Sequence, residues 1–151
     1  MRFENAREAL KHASIFHLEL SKLYTRLLET TKDEKTRMLI SYLIKQEEDL
    51  AQSLKSYEKE TPSGVLDTWM QYANDANILK IPKIEALHKD ASSNDILAIS
   101  SQITNELLAL YAQVEQQVDE DEVKEIFANL ANMQSQKLKR VSMNFDRLMD
   151  I

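Results

Sequence analysis

The chain has 151 residues, a net charge of -6 and no cysteine. This length corresponds to a single domain that buries a core without disulfides or a structural metal. The lack of cysteine excludes disulfides, thiolate metal sites and thiol catalysis, and it is typical of proteins in the reducing cytoplasm, where we expect this one.

The composition favours an all-α fold. One glycine and two prolines supply too few turn residues for a many-stranded sheet, so the chain should form long helices. No apolar run approaches 18 residues, so we expect no membrane partner. No dense Lys/Arg patch accompanies the negative net charge, so we expect no nucleic acid partner either.

Four capping signals predict four long helices. In each, a side-chain oxygen accepts an early backbone N–H, and an acidic residue three positions later reaches back. These signals predict helix A from Asn5 (with Glu8) to about Glu29, helix B from Thr31 (with Glu34) to about Glu58, helix C from Ser92 (with Asp95) to about Val118, and helix D from Asp119 (with Glu122) nearly to the C-terminus.

The connections between these helices predict the topology. A to B and C to D turn within a few residues, so each pair should be an antiparallel hairpin. Residues 59–91 between B and C contain both prolines and the glycine, and they are long enough to cross a bundle. Within them we predict one short helix after Pro62 (Val65, Leu66, Trp69, Met70, Ala73) and a second after Pro82 (Ile84, Leu87). We therefore predict one antiparallel four-helix bundle domain over residues 1–151, with Trp69 packing on the bundle or forming part of a dimer contact.

A helical period of 100° per residue defines the apolar face of each predicted helix. The predicted core residues are Ala9, Ala13, Phe16, Leu20, Leu23, Tyr24 and Leu27 on A; Leu39, Leu43, Leu50, Leu54 and Tyr57 on B; Ile96, Ile103, Leu107, Leu110, Val114 and Val118 on C; and Val123, Ile126, Phe127, Leu130, Val141, Phe145 and Leu148 on D. Six polar residues fall on or inside these faces: His17, Glu47, Ser100, Thr104, Gln134 and Lys137. Charged residues are seldom buried unless paired, so an inward Glu47 and an inward Lys137 are predicted to meet.

The pattern resembles the ferritin-like (rubrerythrin-type) family over nearly the whole chain. In that family helices B and D each carry Glu-x-x-His, and A and C each add a Glu, which together hold two metal ions. The segment from Tyr42 to Leu54 resembles the B motif, with Glu47 as its Glu and Leu50 in place of the His. The segment from Leu130 to Leu138 resembles the D motif, with Gln134 for the Glu and Lys137 for the His.

The resemblance also assigns positions on A and C. The family Glu often precedes a Tyr by two turns, which selects His17 from Tyr24 and Thr104 from Tyr111. Glu19 and Glu106 are weaker candidates, because Glu19 lies at the edge of its apolar face and Glu106 points away from it. The resemblance thus implies a di-metal site that has lost most of its ligands.

Lys137 decides between the functional alternatives. A protonated amine cannot ligate a metal and repels one, so we predict a Glu47–Lys137 pair, helped by Gln134 and His17, where the family holds its metals. This favours a non-enzymatic bundle protein without a cofactor, acting through binding or assembly as a homo-oligomer such as a dimer. The alternatives are a ferritin-like oxidoreductase or metal carrier that holds iron or manganese through His17, Glu47, Glu19 and Gln134, and a binder of small ligands in a core cavity.

Overall fold

The computed structural model describes residues 5–67 and 91–150. These ranges contain four long helices and one short one: α1 (Ala6–Thr30), α2 (Glu34–Glu60), α3 (Ser63–Leu66), α4 (Ser93–Gln117) and α5 (Asp121–Met149). The predicted all-helical character is confirmed for the part of the chain described. A short helix follows Pro62 as predicted, but α3 includes only Val65 and Leu66 of its predicted residues and ends at Leu66. The other predicted residues, Trp69, Met70, Ala73, Pro82, Ile84 and Leu87, lie outside the described residues.

Two of the four predicted helix starts are confirmed at their caps. The Asn5 side chain accepts from the Glu8 backbone N–H at 3.0 Å. At the start of α4, Ser92 and Asp95 form the full reciprocal capping box.

The other two predicted caps are wrong by one or two residues. The N-cap of α2 is Asp33, which accepts from the Thr36 backbone N–H at 3.0 Å, whereas Thr31 ends α1 and donates its hydroxyl to Leu27 O at 2.7 Å. Helix α5 begins after Glu120 rather than Asp119, and its cap residue makes no side-chain hydrogen bond to the helix. The carboxylate of Asp33 accepts two hydrogen bonds from Thr36, which is stronger capping than Thr31 offers.

Helices α1 and α2 form the predicted antiparallel hairpin. Their contacts run in opposite directions along the two helices: Leu28 O accepts from Arg37, and further along Ser14 donates to Ala51 O. Helices α4 and α5 also pack extensively on each other after a turn of a few residues. Both hairpins follow from connections too short to allow any other packing.

The start of α4 lies beside the start of α2. Thr36 and Ser93, each in the first turn of its helix, share a buried hydroxyl–hydroxyl hydrogen bond of 2.9 Å. Helix α2 also packs on α5, while α3 touches both α1 and α5. The two hairpins are therefore held together through α2.

The core contains nearly every apolar residue that the helical period selected, but Tyr57 and Phe145 are only half-buried at its edge. Leu10, Ile40 and Ala51 are buried as well, which widens the apolar faces of α1 and α2 beyond the predicted stripes. None of the helices described in the structure is long and apolar enough to cross a membrane.

Candidate functional site

A cluster of four polar side chains lies in the middle of the core. His17 comes from α1, Glu47 from α2, and Gln134 and Lys137 from α5. Each is at most 1% exposed. We call these four residues the buried polar cluster.

Lys137 and His17 bind opposite oxygens of the same carboxylate. The Lys137 ammonium donates to Glu47 Oε1, and His17 Nδ1 donates to Glu47 Oε2. An ionised carboxylate only accepts hydrogen bonds, so Nδ1 of His17 must carry a proton. The predicted Glu47–Lys137 pair is thus present, and His17 completes it.

Gln134 closes the cluster on the far side of the imidazole. Its side-chain Nε2 lies 2.9 Å from His17 Nε2. Because an amide nitrogen only donates, this ring nitrogen acts as the acceptor in the observed orientation of Gln134. The opposite charges of Glu47 and Lys137 lie in direct contact within the cluster.

Burial and charge act in opposite directions on Glu47. Burial by itself raises the pKa of its carboxyl. The positive charge of Lys137, the electrostatic attraction of His17 and the hydrogen bonds from both side chains outweigh this and lower the pKa to about 2. Glu47 is therefore a carboxylate throughout the physiological range.

Two buried tyrosines surround this carboxylate. Burial raises the pKa of Tyr24 on α1 and of Tyr111 on α4, and the negative charge of Glu47 raises both further. Among the described residues, neither the Tyr111 hydroxyl nor Gln134 Oε1 has a hydrogen-bond partner within bonding distance. The Gln134 side chain lies near Tyr111 and partly offsets the rise in the Tyr111 pKa. Both phenols stay protonated, so each remains a neutral hydroxyl beside the carboxylate.

The remaining predicted positions do not join the cluster. Thr104 is fully buried, but its hydroxyl donates to Ser100 O of its own helix at 2.9 Å. Leu50 is buried one turn from Glu47. Glu19 is partly exposed and pairs with Lys22 at 3.4 Å, and Glu106 is half-buried.

The two tyrosines are site residues that the sequence pattern does not predict. The helical period predicts Tyr24 only as a core residue, and Tyr111 lies seven residues after Thr104 on the same buried face of α4. A buried phenol at that spacing from an inward polar residue is the signal that would have included Tyr111 in the site.

The donor set does not fit a di-metal centre. No three residues of the His, Cys, Asp or Glu types in ranges 5–67 and 91–150 are placed to hold a metal ion together. Both oxygens of Glu47 already accept hydrogen bonds, one of them from a cation. A metal at this carboxylate would have to displace the ammonium of Lys137, which repels it.

Comparisons with models of known protein families, with curated proteins and with solved structures each found no match to this chain.

Proposed function

We propose that this chain is a ferritin-like bundle in which the buried polar cluster stands in place of the di-metal centre, and that it acts through binding or assembly without a metal. The observation that carries the proposal is the Lys137 ammonium, 1% exposed and bonded to Glu47. The cation supplies the positive charge that a metal would supply to the same carboxylate.

The connectivity supports the ferritin-like part of the proposal. Ferritin-like bundles consist of two helical hairpins joined by a long crossover. Here the Thr36–Ser93 hydrogen bond joins the starts of α2 and α4. The second hairpin therefore begins beside the start of α2 and far from its end, as the ferritin-like connectivity requires. The cluster residues also come from three helices at the positions that the resemblance assigned.

The chemistry of the cluster supports a binding role over catalysis. A catalytic acid or base must reach a substrate proton, directly or through one water. Glu47 and His17 are fully buried, and both oxygens of Glu47 are occupied by donors from within the protein. These groups contact no substrate unless the bundle opens, so their role is to fix how the helices pack.

A buried charge pair of this kind specifies structure more than it adds stability. Desolvation offsets most of the attraction between the two charges, while breaking the pair leaves one charge uncompensated. In this structure the packing of α1, α2 and α5 brings His17 and Lys137 onto the two oxygens of Glu47. The cluster therefore favours this arrangement of the helices, which holds the outer faces in a fixed shape for a partner.

The direct test is the metal content of protein purified without chelators, followed by titration with iron(II) and manganese(II). We expect no stoichiometric metal and no rise in the unfolding temperature on addition of either ion, because a ligand that binds only the folded state would raise it. One or two metal ions per chain bound at the cluster would refute the proposal. The Glu47→Gln variant provides the control, since any metal held elsewhere remains bound to it.

A further inference from the structure

A continuous groove runs along the outer side of the bundle between α2 and α5. It consists of two adjoining cavities of about 490 and 580 Å³, and Lys45 lines both. On α5 one cavity is lined by Asn132, Met133, Gln136 and Arg140, and the other by Asn144 and Leu148. From Asn132 to Leu148 is sixteen helical steps, or about 24 Å along the axis of α5 at 1.5 Å per residue. We call this feature the α2–α5 groove.

We infer that the α2–α5 groove binds an acidic amphipathic helix of a partner protein. The inference rests on the binding role proposed above and names the class of partner. A groove between two neighbouring helices can hold a third helix that lies in it with its apolar face inward.

The floor of the groove offers apolar anchor points. Met38 lines it with half of its surface exposed, beside Tyr42 and the buried Leu148, and Leu50 and Met133 line the other cavity. Exposed methionine is typical of surfaces that accept apolar side chains of varied shape.

The net positive charge of the groove favours a partner with a negative charge. Four cations line it (Lys32, Arg37, Lys45 and Arg140) against two carboxylates (Glu34 and Asp49), whereas the whole chain has a net charge of -6. A local excess of cations on an acidic protein attracts acidic partners and disfavours basic ones. It also disfavours a symmetric dimer through this groove, because both copies would bring a surface of the same net positive charge to the contact.

The test uses a fluorescent peptide of about 16 residues, the length of the groove wall, with leucines at helical spacing flanked by glutamates. A second peptide has the same leucines flanked by lysines. Fluorescence anisotropy should show that the full chain binds the glutamate peptide at least roughly tenfold more tightly than the lysine peptide, a difference of about 1.4 kcal/mol. The preference should weaken as salt is added, because the charges lie at the surface.

Two matched charge reversals locate the binding site. The variant Lys45→Glu/Arg140→Glu reverses the centre of the groove and should lose at least about tenfold in affinity for the glutamate peptide. The variant Lys55→Glu/Lys59→Glu makes the same charge change at exposed positions of α2 outside the groove and should bind like the unchanged chain. Circular dichroism checks that both variants keep their helices.

Three results would overturn the inference: no saturable binding of the glutamate peptide, equal loss of affinity in both charge-reversal variants, or a dimer of the unchanged chain that the groove variant dissociates. The last result would assign the groove to a second copy of this chain. None of these depends on metal content, so the groove can fail while the proposed metal-free role stands, and the reverse also holds.

Discussion

The ammonium of Lys137 on α5 donates to Glu47 on α2, ninety positions earlier in the chain, and both side chains are buried. This bond joins the two hairpins in the centre of the core. It also leaves each residue dependent on the other, because either one alone would be an uncompensated buried charge.

Lys137→Met should therefore destabilise the protein by about 3–5 kcal/mol, since Glu47 stays buried without its cation. Denaturant unfolding measures the change. The matched control is Lys139→Met, which removes an exposed lysine two residues away and should change stability by less than about 0.5 kcal/mol.

The double variant Glu47→Leu/Lys137→Met tests whether the loss comes from the pair. It should be more stable than Lys137→Met alone, because an apolar pair of similar size leaves no unpaired charge. A neutral Lys137→Met, or losses that simply add in the double variant, would show that the two groups do not depend on each other.

Acid should remove the contribution of Glu47 in a defined window. Its pKa is 4.5 in the absence of the fold and is lowered to about 2 in it, so the unfolded chain takes up the proton first. The stabilisation is complete above about pH 4.5 and is lost as the pH falls toward 2, with a total on the order of 3 kcal/mol.

Urea unfolding of the unchanged chain and of Glu47→Gln across this range isolates that contribution. At neutral pH the unchanged chain should have the larger free energy of unfolding. The difference between the two proteins should shrink as the pH falls, because only the unchanged chain carries the carboxyl at position 47. A gap that stays constant from pH 7 to 2 would mean that Glu47 has an ordinary pKa in the folded protein.

The imidazole of His17 should be the neutral Nδ1–H tautomer, because Nδ1 faces a carboxylate and Nε2 faces an amide donor. Nitrogen-15 NMR distinguishes this tautomer from the Nε2–H form and from imidazolium. Replacing Gln134 with Leu removes the donor and leaves Nε2 unpaired, at a cost of about 1–3 kcal/mol. An Nε2–H signal for His17 in the unchanged chain would contradict the orientation of Gln134.

The corrected start of α2 makes a further prediction. Asp33→Ala should cost about 1 kcal/mol, because the Thr36 backbone N–H loses its acceptor. Glu120→Ala, at the cap of α5 where no side-chain hydrogen bond is made, should cost less. Equal losses in thermal or denaturant unfolding would mean that Asp33 does not cap α2.

Introducing the ligands of the ferritin-like family tests the proposed resemblance at the residues that carry it. The triple variant Leu50→His, Gln134→Glu and Lys137→His places carboxylate and imidazole at i, i+3 spacing on both α2 and α5, which suits iron or manganese. We expect this variant to bind metal where the unchanged chain does not, with His17→Glu and Thr104→Glu strengthening the site. A triple variant that folds but binds no metal would contradict the proposed alignment of these α2 and α5 positions with the ferritin-like ligands.

The sequence by itself determined the elements and which residues face inward. Helix propensity, capping and a period of 3.6 residues act within a few turns, so the four long helices and most of the core could be predicted from neighbouring residues. The same period put Glu47, Gln134 and Lys137 inside the core, and pairing followed because buried charges require partners. The exact caps were missed where two good capping residues, Thr31 and Asp33, lie within one turn.

Only the tertiary structure decided which atoms of these groups touch and which further contacts form between the helices. The hydrogen bonds of His17 with Glu47 and of Thr36 with Ser93 depend on the register between helices far apart in sequence. The α2–α5 groove belongs to neither helix alone, since it exists only because two surfaces lie side by side. Local sequence sets the conformation of each helix, but contacts between helices are set by the packing that satisfies all of their faces at once.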